Sequence, residues 1–322
     1  IQRALKKKKG SNLIYFGPGV HNLPNDTLFV PSGTTVYIDG GARVYGNIFT
    51  EGAHDVNIFG RGEVHPDGRG AGVWVRRSKN VRIDGIVVSQ LPIGQCDSVE
   101  LTNVKSISYY GWGDGMDVFS SSNVILDGVF CRNSDDCTAV YASTQGFKGG
   151  SNNVLVKNAT LWADVAHPIN IGGHGDPNGM DTVQNVTFRN IDILDQAEKQ
   201  IDYQGCLAIN PGDNTLVRNI TFENIRIEDF RNGQLVNFRI SFNPKYCVST
   251  GRGIQNVLVK DVTYNGSGEN LSIIAGYDEN HKISGIRFVN LVVNGRKITD
   301  DMPGKPKWYK TGDMAGIFVG EH

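Results

Sequence analysis

The sequence predicts an all-β chain, a right-handed parallel β-helix whose coils each carry three short strands. Three observations predict it. First, one phrase recurs: Asp55-Val56-Asn57-Ile58, Asn80-Val81-Arg82-Ile83, Asp97-Ser98-Val99-Glu100-Leu101, Asn123-Val124-Ile125-Leu126, Asn153-Val154-Leu155-Val156, Asn185-Val186-Thr187-Phe188, Asn219-Ile220-Thr221-Phe222, Asn256-Val257-Leu258-Val259 and Ser284-Gly285-Ile286-Arg287-Phe288. Its expected period, about 26 residues, falls in the range of stacked repeats. Second, each phrase alternates polar and apolar residues with the period of a strand, and no 3.6-residue pattern persists. Third, the 322 residues include 40 glycines, suiting a chain that turns often, without a collagen-like period.

In chain order, residues 1–9 are expected to form a short capping helix, because the open end of a solenoid exposes unpaired backbone and apolar core. The start, Ile1-Gln2-Arg3-Ala4-Leu5, reads as the middle of such a helix, so a trimmed piece or a mature form without its signal peptide is expected. Each phrase then opens a coil. Asparagine at the strand entry has a physical reason: it tolerates left-handed backbone and can stack in ladders at corners. A second aliphatic strand follows, as in Ile86-Val87-Val88 and Ile191-Asp192-Ile193. Third strands are read at 116–119, 138–141, 169–172, 207–210, 238–241 and 272–275. The repeat is expected to fade after Asp300, leaving a tail to His322 that covers the far end. Leucine-rich repeats have a similar length but need a leucine consensus that is missing. With no linker or low-complexity segment, residues 1–322 are expected to form one domain.

Composition narrows the function. A formal net charge of −1 excludes a general attraction to nucleic acid or anionic membrane. No apolar run approaches the ~20 residues of a membrane span. The five cysteines match no zinc spacing and are expected to be buried free thiols. Asn158-Ala159-Thr160 and Asn185-Val186-Thr187 fall in predicted strands, so these asparagines are expected to be structural rather than glycosylated.

The chemistry lies before the third strands. Asp114 stands four residues before Val118, Asp136 four before Val140 and His167 four before Ile171. The three therefore share one column on successive coils, about 4.8 Å apart, with Asp135 beside Asp136. A carboxylic acid and a carboxylate that flank a glycosidic bond can protonate the leaving oxygen and activate water. A third carboxylate raises the acid's pKa by repulsion. One acid at a solvated corner would mean little; four such residues in register point to chemistry. Calcium binding is the alternative for clustered carboxylates, against which the imidazole counts; no metal or cofactor is expected. Trp112, Arg239, Lys245, His174 and Tyr277, on or near third strands, are the candidate sugar contacts.

The runs Gly113-Asp114-Gly115-Met116-Asp117, Asp135-Asp136-Cys137 and His167-Pro168-Ile169-Asn170-Ile171-Gly172 resemble the polygalacturonases of glycoside hydrolase family 28. That family's pattern is Asn-Thr-Asp-Gly-Ile-Asp, Gly-Asp-Asp-Cys and Gly-His-Gly, and its opening helix and first coils are similar to Ile1 to Gly46. The resemblance implies that Asp135 is the general acid, that Asp114 and Asp136 hold and activate water, and that His167 supports the acid. It implies an inverting reaction with acid and base about 6.5–9.5 Å apart. Three departures stand out. Ala166-His167-Pro168 replaces Gly-His-Gly. Ala163 stands where the family's cysteine partner to Cys137 would fall. The family's Arg-Ile-Lys, which recognises the galacturonate carboxylate, is replaced by Leu207-Ala208-Ile209-Asn210, with an arginine only one coil later, at Arg239-Ile240-Ser241.

The chain also resembles the dextranases and isopullulanases of family 49, through Ala166 to Gly173, through Asn237-Phe238-Arg239-Ile240-Ser241 with Lys245-Tyr246, and through Asn294-Gly295-Arg296-Lys297-Ile298. The expected function is an inverting glycoside hydrolase acting on an α-linked polysaccharide or oligosaccharide, either a pectin-type uronan or a neutral α-glucan such as dextran, in a secreted or periplasmic protein. A uronate lyase or epimerase and a non-catalytic carbohydrate-binding β-helix are the alternatives.

Overall fold

The computed structural model describes residues 12–200, 203–267, 269–299, 302, 309–311 and 314–319. Among them there is no α-helix; the named elements are all strands, and nearly all pair in parallel. The capping helix expected over residues 1–9 lies outside the described residues.

The chain winds as a β-helix with three strand faces. On the first, Val36, Ile58, Ile83, Leu101, Leu126, Val156, Phe188, Phe222, Val259 and Phe288 are successive register partners. On the third, Val75, Ile93, Val118, Val140, Ile171, Ile209, Phe238 and Ile274 stack likewise. All of these point inward and are buried, so the core is one continuous apolar column. Burying each such side chain contributes roughly 1.5–3 kcal/mol. The alternation that marked the strands in the sequence is thus an inside–outside alternation.

Corners are set by left-handed residues. Asn80, Asn123, Asn153, Asn185, Asn219 and Asn256 all have φ between 54° and 57°. Their amides link coil to coil: Asn123 donates to Asp97 at 2.7 Å, Asn153 to Asn123 at 2.7 Å, Asn219 to Asn185 at 3.1 Å and Asn256 to Asn219 at 3.2 Å. A second ladder runs Asp127–Asn158–Asn190–Asn224. Asn158 and Asn185 are therefore rungs, as expected from their strand positions.

Two expectations are corrected. Val56 and Ile286 are the ends of nine stacked strands, so eight steps cover the distance at about 29 residues each, not 26. The steps are uneven: 18 residues separate Val81 from Val99 and 37 separate Ile220 from Val257. The extra residues sit in loops between strands, which a count of strands alone does not register. Nor does the repeat end at Asp300. Tyr309–Thr311 and Met314–Val319 stack in parallel on Ser272–Ala275 and Lys282–Val293, adding strands of one more coil.

The five cysteines are free and buried, as the composition suggested. Burial pushes the Cys96 thiol up to about 11 and those of Cys137 and Cys206 well above their ordinary range.

Candidate active site

The third face carries the site. Its register places Asp114, Asp136 and His167 on successive coils as expected, since Val118 pairs with Val140 and Val140 with Ile171. Backbone bonds carry that register past the strand ends: Gly115 N donates to Asp136 O at 2.8 Å and Cys137 N to His167 O at 2.8 Å. Glycine is required at 115, where a Cβ would lie 2.2 Å from the Cys137 carbonyl oxygen. Asn133, fully buried, fixes the turn below by donating to the Asp114 carbonyl at 3.0 Å and to Ser108 Oγ at 3.0 Å.

One oxygen from each of Asp114, Asp135 and Asp136 lies within 4.8 Å of the other two. This is a tighter cluster than the roughly 6.5–9.5 Å acid–base window expected of an inverting pair. The three acids are not equivalent. Asp136 is 4% exposed, and both its oxygens accept hydrogen bonds. Oδ1 accepts from His167 Nδ1 at 2.7 Å and His167 N at 3.1 Å; Oδ2 accepts from Tyr141 OH at 2.8 Å and Asn170 Nδ2 at 2.9 Å. Burial alone would push the Asp136 pKa up, but His167 and these donors outweigh it and hold the carboxyl below its ordinary range. Asp135 has no such shell and accepts from the Asp136 N–H at 3.0 Å. Burial first, then the Asp136 charge, pushes it up to about 7. Asp114 is pushed well above the carboxylate range by burial and by the charges of Asp135 and Asp136. A fourth acid, Asp117, is 4% exposed, accepts from Ala139 N at 3.1 Å and is likewise pushed well up by burial.

Two observations bear on the roles the resemblance implies. His167 contacts Asp136 rather than Asp135, because the column puts it directly above Asp136. Asp114, which the resemblance implies helps to activate water, has its pKa raised by burial and by the charges of Asp135 and Asp136, so it takes up a proton more readily than an ordinary carboxylate. As a cation cradle the trio is poorly equipped, since Asp136 already spends its oxygens on four donors.

The acids open into a groove of about 1030 Å³. Trp112, His174 and Lys245 line it. Trp112 is 67% exposed on a turn tied down by Gln90 Nε2, which donates to its carbonyl at 2.9 Å. His174 stands edge-on to Tyr141 at 5.1 Å, and burial lowers its pKa. Arg239 and Tyr277 are not among the lining residues. Arg239 lies further along the helix, pairing with Ala275, and Tyr277 turns to His281 at 6.1 Å.

Several groove residues escaped the sequence reading. Tyr203 stands edge-on to His167 at 4.5 Å and accepts from Asn170 Nδ2 at 3.1 Å. Tyr246 stacks on Tyr203 at 4.8 Å, and Lys245 Nζ sits over the Tyr246 ring at 4.7 Å. Glu198, Lys199, Gln200 and Arg231 complete that wall, with Arg231 ion-paired to Asp195 at 2.5 Å and Asp164 at 3.4 Å. Asn170 had a signal, a lone amide between two isoleucines one coil above an acid. Tyr246 was named only within the Lys245-Tyr246 resemblance, and Tyr203, in a loop outside the repeat, had no signal.

Comparison with known proteins bears on this geometry. The profile of "Glycosyl hydrolases family 28" matches residues 71–302. A polygalacturonase of Juniperus ashei is 26% identical over 216 residues, covering 64% of this chain and 39% of that protein. The chain spans about half the length of the curated relatives it matches. A family 28 exopolygalacturonase of Yersinia enterocolitica superposes with a TM-score of 0.70 at 13% identity, covering 100% of this chain and 75% of that one. Dex49A of Penicillium minioluteum superposes at 0.67 and 15% identity, covering 97% of this chain and 60% of that one. At these identities the two superpositions show a shared fold.

Proposed function

Because this chain belongs to the glycosyl hydrolases of family 28, we propose that it hydrolyses glycosidic bonds in a polyuronan of the galacturonan type, outside the cytoplasm. The observation that carries this reading is the division of labour among three adjoining carboxyls: Asp136 ionised and fully bonded, Asp135 titrating at about 7. An acid poised near neutrality can give its proton to the leaving oxygen and regain it. Asp135 is the general acid. Asp136 is the fixed negative charge that raises its neighbours, and His167 and Asn170 hold it in place.

Asp114 is the base. Asp114 and Asp135 titrate as a coupled pair, and the productive state carries one proton, on Asp135. Water between Asp114 and the sugar then loses its proton to Asp114 while Asp135 protonates the departing oxygen. Asp136 is wrapped by four donors and so is not free to act as a nucleophile, and with water as the attacking group the expected outcome is inversion. Retained configuration in the first product would contradict this step.

Lys245 recognises the substrate carboxylate in place of the missing Arg-Ile-Lys. It is exposed in the groove, held over Tyr246, and an ammonium makes charge-assisted bonds to carboxylates. One observation favours a neutral α-glucan instead: Leu207-Ala208-Ile209, on the coil where Arg-Ile-Lys is expected, is fully buried. Incubation with polygalacturonate, rhamnogalacturonan, dextran and pullulan decides between them. The expected result is turnover of polygalacturonate, with KM raised about tenfold in Lys245→Ala, the scale of one ~1.4 kcal/mol contact. Turnover of dextran or pullulan alone would overturn the uronan assignment.

A further inference from the structure

Residues 143–149 leave the third face and fold back over the coils that precede the acids. Their turn is closed internally: Phe147 N donates to Thr144 O at 2.8 Å and Gly149 N to Ser143 Oγ at 2.9 Å. Its foot is tied by Ser143 N donating to Asp181 Oδ2 at 3.2 Å. At the tip Phe147 is 2% exposed, its ring stacked at 6.3 Å on Phe119, which stacks at 5.8 Å on Tyr141. Beneath the ring is Gly94, where a Cβ would lie 2.2 Å from Phe147 Cζ, so any larger residue would lift the turn. Arg76 and Arg77 place their guanidinium groups 5.8 and 5.0 Å from the ring centre, and Arg77 Nη2 donates to the Gly146 carbonyl at 3.3 Å.

Register locates this strap. Gly94 pairs with Phe119 on the Asp114 coil and with Arg76 on the coil before. The strap therefore roofs the third face on the two coils next to the acids. Thr144, Gln145 and Phe119 line the groove, whereas Gly94, Arg76 and Phe147 do not. On the other side of the acids the groove continues past Tyr203 to Tyr246 and Lys245.

We infer that the strap makes this chain act from the end of its polysaccharide, releasing one sugar per cut. The inference rests on the glycosidase reading above. On the strap side, one coil spacing of about 4.8 Å separates the acid column from the roofed coil, about the length of one sugar ring. A polymer cannot thread through; only its end can enter. Phe147, Gly94 and Arg77 set the mode of cleavage without touching the reacting atoms.

The test follows early products from long polygalacturonate, or from dextran if that is the polymer turned over, by viscosity and by chromatography. The expected result is monosaccharide as the first product, with viscosity falling slowly and a rate proportional to the number of chain ends. An early collapse of viscosity with oligosaccharides of intermediate length would overturn the inference while leaving the glycosidase reading intact. Absence of new reducing ends with every polymer would overturn the glycosidase reading. Phe147→Ala, and Arg77→Ala should the first variant not fold, are expected to raise the share of internal cuts severalfold. A folded Phe147→Ala protein that still releases only monosaccharide would overturn the strap as the cause.

Discussion

Two polar columns climb this helix at the same coil spacing, and they are built on opposite principles. At the corner, Asn256 donates to Asn219, Asn219 to Asn185 and Asn185 to Asn152, so Asn219 and Asn185 are each both donor and acceptor, in exposed left-handed positions. Before the third strands, Asp114 and Asp136 stack in the same way but can only accept when ionised. An amide column satisfies itself; a carboxylate column does not. It persists here because His167, Asn170 and Tyr141 surround one member and the others take up protons. A repeat that stabilises itself at one corner thus stores unsatisfied chemistry at another.

The largest break in that contrast is Asp135→Asn. It is expected to lower kcat by about 10²–10⁴, the range of a lost general acid, without loss of stability. The sign follows from linkage. The folded state holds the Asp135 proton up to about pH 7, whereas the unfolded chain releases it near 4, so wild-type stability falls as pH rises through that window. The variant lacks this penalty and should melt higher than wild type at pH 8 by calorimetry. Wild-type activity should be bell-shaped in pH, falling on the alkaline side as the Asp114–Asp135 pair loses both protons.

Asp136→Asn attacks the column at its satisfied member. Its folded pKa is depressed, so its contribution to stability is present above the ordinary carboxylate range and disappears as pH falls through the depressed value. Removing the charge is expected to cost about 1–3 kcal/mol at pH 7 by leaving buried donors mismatched, and to drop the Asp135 pKa, moving the alkaline limb of the pH profile downward. An unmoved limb would show that Asp136 does not set the acid.

The smallest effect belongs to the ladder. Asn185→Ala is expected to cost about 1–2 kcal/mol, mainly for a left-handed alanine, with kcat unchanged. Asn185→Gly keeps the backbone and loses only the rung, so it should cost less. Equal melting temperatures for the two variants would show that the amide chain, rather than the backbone hand, is what selects asparagine.

The same contrast explains what was legible. Asn phrases and apolar alternation are local and repeat, so the coils and the column of Asp114, Asp136 and His167 could be read by alignment. The repeat also concealed things. It ran past Asp300 without its asparagine phrase, and it said nothing of loops. Lys245 follows a third strand and lines the groove, whereas Arg239 and Tyr277, also on or just beyond third strands, are not among its lining residues. Tyr203, Tyr246 and the 143–149 strap reach the site from stretches of unequal length, whose paths depend on neighbouring coils.

That inequality has a consequence for descent. Partners stay in register whether 18 residues or 37 lie between them. The stack is thus a spine on which material inserted at corners leaves inherited core contacts untouched. A lineage can reshape the groove by lengthening one connection at a time, while the acids stay where the spine puts them.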